Sequence, residues 1–299
     1  MPPPSSQPTR HVAIWGLGAI GTLLAAHILP RMRPGETLRA IADAPRIARY
    51  RAAPPTFNGT PIALDFADPA AVPPPSPADL LLVTVKNPAL PDAPANLSPF
   101  IAPHTLVLPL LNGLSATDRL SALLPSARVL HGLILCNSTV RTGRDVTQSG
   151  TLDIQLDDPA AAGWLTAHGL PARVPGDMRT ALWRKFILNV GLNQAEAATG
   201  LAHGPLQASP EAMTLLRALV GEAIAVAAAE GIPHPERLAR EALGALAHFS
   251  PDGKTSMLQD VEAGRPPEID AFAGEIVRRA ALHHIPVPAN LSLLLRFSP

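Results

Sequence analysis

An open parallel α/β sheet followed by an all-helical half is the fold class that this 299-residue sequence predicts. Three observations predict it. A glycine-rich turn, GLGAIG at 16–21, sits between a short apolar run and a helical one. Short, uninterrupted apolar runs recur through the first half, as in strands covered on both faces. After about Pro175 the texture changes to long, alanine-rich helical stretches. At roughly 100–200 residues per domain the length favours two domains. Residues 1–10 (MPPPSSQPTR) read as a flexible tail, 11–175 as the α/β domain and 176–299 as the helical domain.

Taken in order, residues 11–15 read as a buried strand and 19–29 as a helix. Residues 38–42 form a second strand, ending beside Asp43. The stretch to about Pro77 is proline-rich and reads as irregular, with a turn at Asn58-Gly59. Three further apolar strands follow: 78–88 with Lys86 near its end, 105–111 closed by Asn112-Gly113, and 128–140 ending on Asn137, Ser138 and Thr139. Strands alternating with helical segments argue for a parallel sheet. The second half predicts helices at 177–201, 210–230 (ended by Gly231 and Pro233), 235–249, 255–263 and 268–284, with a break at Arg265-Pro266-Pro267.

Composition excludes several function classes. Lys plus Arg and Asp plus Glu number 24 each, so no basic field exists to hold nucleic acid or an anionic membrane. The one cysteine, Cys136, leaves no internal disulfide and no thiolate metal cluster, as in a reducing cytoplasm. Residues 12–29 carry no formal charge, but Gly16, Gly18, Gly21 and His27 argue against a spanning helix. A soluble, cytoplasmic protein without a metal site is expected, as a monomer or homodimer. There is no HExxH, CxxC or GxSxG.

The GLGAIG motif (Gly16, Leu17, Gly18, Ala19, Ile20, Gly21) follows a strand and opens a helix, the context of the Rossmann dinucleotide fingerprint. Its first glycine makes the turn, its second admits a pyrophosphate and its third lets helix and strand pack. The helix N-terminus then offers N–H groups to the phosphates. Asp43 lies 22 residues past Gly21. A carboxylate there accepts from a ribose 2′-OH and repels a 2′-phosphate. Arg46, Arg49 and Arg51 behind it are candidate phosphate partners, and capping of a helix by Asp43 is an equal reading. Lys86 and Asn112 stand at C-terminal strand ends, the edge where such sheets bind ligands.

In the helical half, Lys185, Asn189 and Asn193 are spaced by four and share a helix face among apolar neighbours. They read as the polar wall of a cleft, the alternative being caps on neighbouring backbone. Ser256 and Asp260 are again four apart. Glu268 follows two prolines at a helix start, where the dipole favours the ionised carboxylate. Capping is the ordinary alternative for Ser256 and Glu268.

These motifs together resemble the ketopantoate reductases (2-dehydropantoate 2-reductases). The resemblance rests on GLGAIG, VTVK ending in Lys86, Leu111-Asn112-Gly113, WRKFILNVGLN at 183–193, TSMLQD at 255–260 and Glu268-Ile269-Asp270. It covers nearly the whole chain. It implies a Rossmann-type domain plus a helical domain, and NADPH-dependent reduction of 2-dehydropantoate to (R)-pantoate, on the way to pantothenate and coenzyme A. By position it implies Lys185 as general acid, Glu268 as a carboxylate beside substrate and cofactor, and Asn189, Asn193 and Ser256 at the substrate. Asn112 and Lys86 would lie beside the nicotinamide and the ketone. Members using NADPH often carry arginine where this chain has Asp43, which keeps NAD(H) open as cofactor. The competing readings are a related reductase of another 2-oxo acid and a non-catalytic dinucleotide-binding regulator.

Overall fold

The computed structural model describes residues 10–73, 75–136 and 139–297. The predicted tail lies outside them except for Arg10, whose backbone N–H donates to Asp79 Oδ2 at 2.8 Å. Two compact units emerge, one of residues 1–111 with 115–178 and one of 112–114 with 179–299. The 112–114 segment thus belongs with the helical unit and not with the sheet that precedes it in sequence.

In chain order the first unit contains β1 (His11–Trp15), α1 (Ala19–Ile28), β2 (Thr37–Ile41), α2 (Ala44–Ala52), β3 (Thr56–Phe57), β4 (Thr60–Pro61) and β5 (Asp65–Ala67). Then come β6 (Leu80–Val83), α3 (Ala93–Leu97), β7 (Leu106–Pro109), α4 (Ala116–Leu123) and β8 (Arg128–Val129). The unit closes with β9 (Gly132–Cys136), β10 (Thr139–Thr142), β11 (Asp145–Gln148), β12 (Leu152–Leu156), α5 (Pro159–Ala167) and β13 (Ala172–Arg173).

Its main sheet has six strands in the order β5-β2-β1-β6-β7-β8, all pairs parallel. Alternate residues feed two apolar cores. Val12, Ile14, Leu80 and Leu82 enter one; Ala13, Trp15, Leu81 and Val83 enter the other. Burial on both faces explains the uninterrupted apolar runs in the sequence. The chain runs from β1 outward to β2 and β5, then crosses back to β6 on the other side of β1. This reversal of direction makes the β1/β6 boundary the topological switch point, and ligands of open α/β sheets bind at its C-terminal edge.

The first two predicted strands keep their length, as His11–Trp15 and Thr37–Ile41, and the other three are longer than those observed. The segments at 78–88 and 105–111 pair only over Leu80–Val83 and Leu106–Pro109, because their flanks turn into loops. The predicted strand at 128–140 is two strands. Arg128–Val129 joins the parallel sheet, whereas Gly132–Cys136 leaves it and pairs antiparallel with β12. Asn137 and Ser138 lie outside the described residues. The proline-rich stretch before Pro77 holds a helix and three short strands. Its Asn58-Gly59 turn forms as predicted, with φ of 47° and 77° closing the β3–β4 hairpin.

The second unit is helical: α6 (Met178–Thr199, joining it at Arg179), α7 (His203–Ala208), α8 (Pro210–Ala229), α9 (Pro235–Ala245), α10 (Ser256–Glu262), a π turn at Asp270–Gly274, α11 (Glu275–Leu282) and α12 (Pro288–Phe297). The helices α7 and α12 were not predicted; the first is a six-residue turn and the second follows a loop. From Val190 to Ala197 every residue of α6 is buried, so this helix passes through the middle of its unit. Gly191 makes that position accessible to α8, since a Cβ there would stand 2.5 Å from Val220 Cγ2.

The uncharged segment 12–29 divides between β1 and α1, so it is not one continuous helix. One helix among the described residues, α8, is long and apolar enough to cross a membrane. Its Leu216, Leu219, Val220, Ala223 and Val226 are packed into the core of the helical unit.

Candidate active site

In the first unit the GLGAIG turn joins the C-terminal end of β1 to α1, at the switch point. Gly16 has φ of 109°, which an L side chain resists, and a Cβ on it would lie 2.7 Å from Val85 N. Thr84, just past β6, donates its hydroxyl to Gly16 O at 2.6 Å, and its N–H bonds Trp15 O at 2.9 Å. The end of β6 thereby clamps the turn. A Cβ on Gly21 would collide with the Gly16 carbonyl oxygen. A Cβ on Gly18 would meet no atom within 4 Å. Open space therefore stands before the N-terminus of α1, and Gly18, its N-cap, makes no side-chain capping bond there. Side chains cap α2, α5, α8 and α10 (Asp43, Asp158, Ser209 and Thr255), whereas α1 is one of several helices without such a cap. An uncapped helix end behind a glycine cradle suits the pyrophosphate of a dinucleotide. The residues present fit that group.

Two more predicted residues belong to the same unit. Lys86 is exposed, three residues beyond β6. Asp43 caps α2: its Oδ1 accepts from Arg46 N at 2.8 Å, and Arg46 Nε lies 3.8 Å from its other oxygen. Among the described residues no group of three His, Cys, Asp or Glu side chains is placed to hold a metal.

In the second unit one chain of contacts links segments far apart in sequence. Lys185 and Asn189 are half-buried on α6, and Asn193 is buried one turn on. One turn further still is Glu196, fully buried, whose carboxylate faces His203 Nδ1 and accepts from Thr255 N at 2.8 Å. Thr255 caps α10 by accepting from Leu258 N at 3.3 Å, so the cap is Thr255, and Ser256 is the exposed first residue of that helix. At the other end of α10, buried Asp260 accepts from Arg265 Nε at 2.9 Å, and Arg265 N bonds Asp260 O at 2.8 Å. That pair fixes the loop leading to half-buried Glu268. Glu268 stands just before the π turn, its carbonyl accepting from Ala271 N at 3.1 Å. Ala271 O in turn lies 3.2 Å from a Cβ position on Gly113 (φ 97°), which places half-buried Asn112 beside this turn.

The sequence pattern did not single out Glu196, His203 or Arg265. Glu196 continues the 185–189–193 stripe at a spacing of three, which is the one signal that could have found it. His203 and Arg265 come into place only through the fold.

The two units define a class: a Rossmann-type α/β unit with an intact glycine cradle, followed by a helical unit carrying a lysine, asparagines and a carboxylate. Comparison with known proteins narrows it. The family described as "Ketopantoate reductase PanE/ApbA" matches residues 12–160, and "Ketopantoate reductase PanE/ApbA C terminal" matches residues 177–296. The 2-dehydropantoate 2-reductase of Vibrio cholerae is 32% identical over 72% of this chain and 75% of its own length. A PanE/ApbA family ketopantoate reductase from Ralstonia eutropha superposes with a TM-score of 0.82 at 29% identity, covering 96% of this chain and 97% of its own. A D-mandelate dehydrogenase solved with NADH and anilino(oxo)acetate has the same fold, with a TM-score of 0.82 at 22% identity over 95% of each chain. The chain belongs to the ketopantoate reductase family of oxidoreductases.

Proposed function

We propose that this chain reduces the C2 ketone of 2-dehydropantoate to (R)-pantoate, with a reduced nicotinamide dinucleotide as cofactor. The carrying observation is that, in the helical unit, Glu196 of α6 accepts from Thr255 N beside Ser256, and Ala271 bridges the Glu268 carbonyl and Gly113 beside Asn112, while the same α6 carries Lys185, Asn189 and Asn193. Gly16 to Gly21 would hold the pyrophosphate, and Lys86, Asn112 and Glu268 would serve the nicotinamide end. When bound, the cofactor supplies the hydride that the ketone carbon takes up.

The chain's own residues do the rest. Negative charge develops on the C2 oxygen, and the Lys185 ammonium stabilises it and then protonates it. Asn189, Asn193 and Ser256 offer neutral donors to the substrate carboxylate. Glu268 accepts from a substrate hydroxyl, and a half-buried carboxylate that requires a hydroxyl discriminates against oxo acids lacking one. The family resemblance implies NADPH, whereas a carboxylate at the Asp43 position suits NADH.

Following nicotinamide absorbance with 2-dehydropantoate and with an aryl 2-oxo acid tests this reading. Turnover of 2-dehydropantoate supports it. Turnover of the aryl acid alone assigns a related 2-oxo acid reductase, a substrate class that the mandelate dehydrogenase shows this fold can carry. Cofactor binding with no turnover of either assigns a regulator.

A further inference from the structure

The end of β2 bears on which dinucleotide this chain takes, an inference that rests on the dinucleotide reading above. Strand β2 finishes at Ile41, in register with Trp15 of β1, and Asp43 follows two residues later in extended backbone (φ −68°, ψ 160°). In Rossmann-type units this is where the adenosine ribose lies. A cation-rich or uncapped helix start at that place would receive a 2′-phosphate. Here the start of α2 is already taken by the chain's own carboxylate, because Asp43 Oδ1 accepts from Arg46 N at 2.8 Å. The N1/N2 turn also contains a proline, Pro45, which has no N–H to give. Capping makes the carboxylate a fixed feature of the strand end, and its side chain remains about half exposed at 53%.

The nearby arginines do not offset it. Arg49 and Arg51 lie in the last turn of α2, at the far end of the helix, where they complement its dipole. Arg46 has its Nε 3.8 Å from Asp43 Oδ2, so a phosphate brought to Arg46 would also be brought to Asp43. We propose that Asp43 makes this chain select NADH over NADPH, by accepting from the ribose hydroxyls and repelling a 2′-phosphate. A unit negative charge a few ångströms from a phosphate dianion costs about tenfold in affinity even at high dielectric.

The test is calorimetric binding of ADP-ribose and of 2′-phospho-ADP-ribose, probes that carry no reacting ring. The wild-type chain is expected to bind ADP-ribose about tenfold tighter or more. Asp43→Ser keeps a capping side chain and loses the charge. It is expected to remove most of that preference, whereas Arg46→Ala leaves it in place. Equal or tighter binding of the phosphorylated probe by the wild type overturns the proposal. So does a preference unchanged in Asp43→Ser, or a selective loss of the phosphorylated probe in Arg46→Ala. Failure of both probes to bind removes the dinucleotide reading and this proposal with it. Selective binding of ADP-ribose without turnover of any 2-oxo acid supports the proposal and overturns only the substrate.

Discussion

Replacing Gly21 and Gly18 by alanine, one at a time, should separate two jobs that the GLGAIG motif performs. A methyl group on Gly21 meets the Gly16 carbonyl oxygen, with Thr84 Oγ1 at 2.8 Å behind it. Both obstacles are fixed. The carbonyl belongs to a turn that already has positive φ, and the Thr84 hydroxyl is committed to that same oxygen at 2.6 Å. Helix α1 must therefore move off the sheet, disturbing a face that buries Leu23, Leu24, Ala25 and Ile28. Overpacking of this kind costs about 1–3 kcal/mol. At about 2–4 °C per kcal/mol for a domain of this size, the Tm of Gly21→Ala should fall by about 2–12 °C. A methyl group on Gly18 meets nothing within 4 Å, and its φ of −82° suits alanine. Gly18→Ala should melt within about 2 °C of the wild type, yet bind dinucleotide at least about tenfold more weakly, because the methyl stands where the phosphates approach. Differential scanning calorimetry and titration with NAD+ read both effects. A Gly18→Ala variant with wild-type affinity would refute the placement of the pyrophosphate. A Gly21→Ala variant with wild-type Tm would refute the contact argument.

Three other outcomes follow from named contacts. Lys185→Ala should lower turnover by about two or more decades, as for a lost general acid; near-normal turnover in a well-folded variant removes Lys185 from the mechanism. Glu196→Ala strands the Thr255 N–H and the His203 ring nitrogen, at about 1–3 kcal/mol for each buried group. Glu196→Gln, which can still accept from Thr255, should lose less by urea denaturation; equal losses would show that the carboxylate charge, not the hydrogen bond, is what matters. In the first unit, burial pushes the Glu36 carboxyl up, but the Arg33 N–H together with His168 and Trp164 overcomes it and holds the pKa below the ordinary value. A depressed carboxyl stabilises the fold above the ordinary range of about 4 and loses that contribution as pH falls through its folded-state value. The stability deficit of Glu36→Gln relative to wild type should therefore be larger at pH 7 than at pH 3, and a deficit equal at both would contradict ionised pairing.

Much of this protein was legible in the chain itself. Strand β6 was recognised, though drawn too long, because its leucines and valine face two cores at once, so no alternation is needed. The long helices α6 and α8 read to within two residues, since Ser209, Pro210 and Gly231 punctuate α8 locally. The segment 128–140 misread because nothing local marks where a chain leaves one sheet for another; that is decided by which partner strand is free. The helix at 44–52 was hidden by the surrounding prolines, yet the one inside it, Pro45, occupies its first turn, where a missing N–H is harmless.

The site divides in the same way. Glycine spacing, the 185–189–193 stripe and the carboxylate after two prolines are local patterns, so the sequence alone pointed to a dinucleotide cradle, a lysine and a carboxylate. The carboxylate of Asp43 was equally readable as a cap or as a cofactor ligand, and only the fold showed the cap, through a bond from Arg46 N. Likewise only the fold showed that Glu196 reaches Thr255, that Asp260 holds Arg265, and that Gly113 packs against Ala271, pairs separated by 59, 5 and 158 positions. Local periodicity fixes which face of a helix a side chain occupies. What a buried polar group bonds to on another element is set by tertiary packing, because its partner satisfies it only once both have left water.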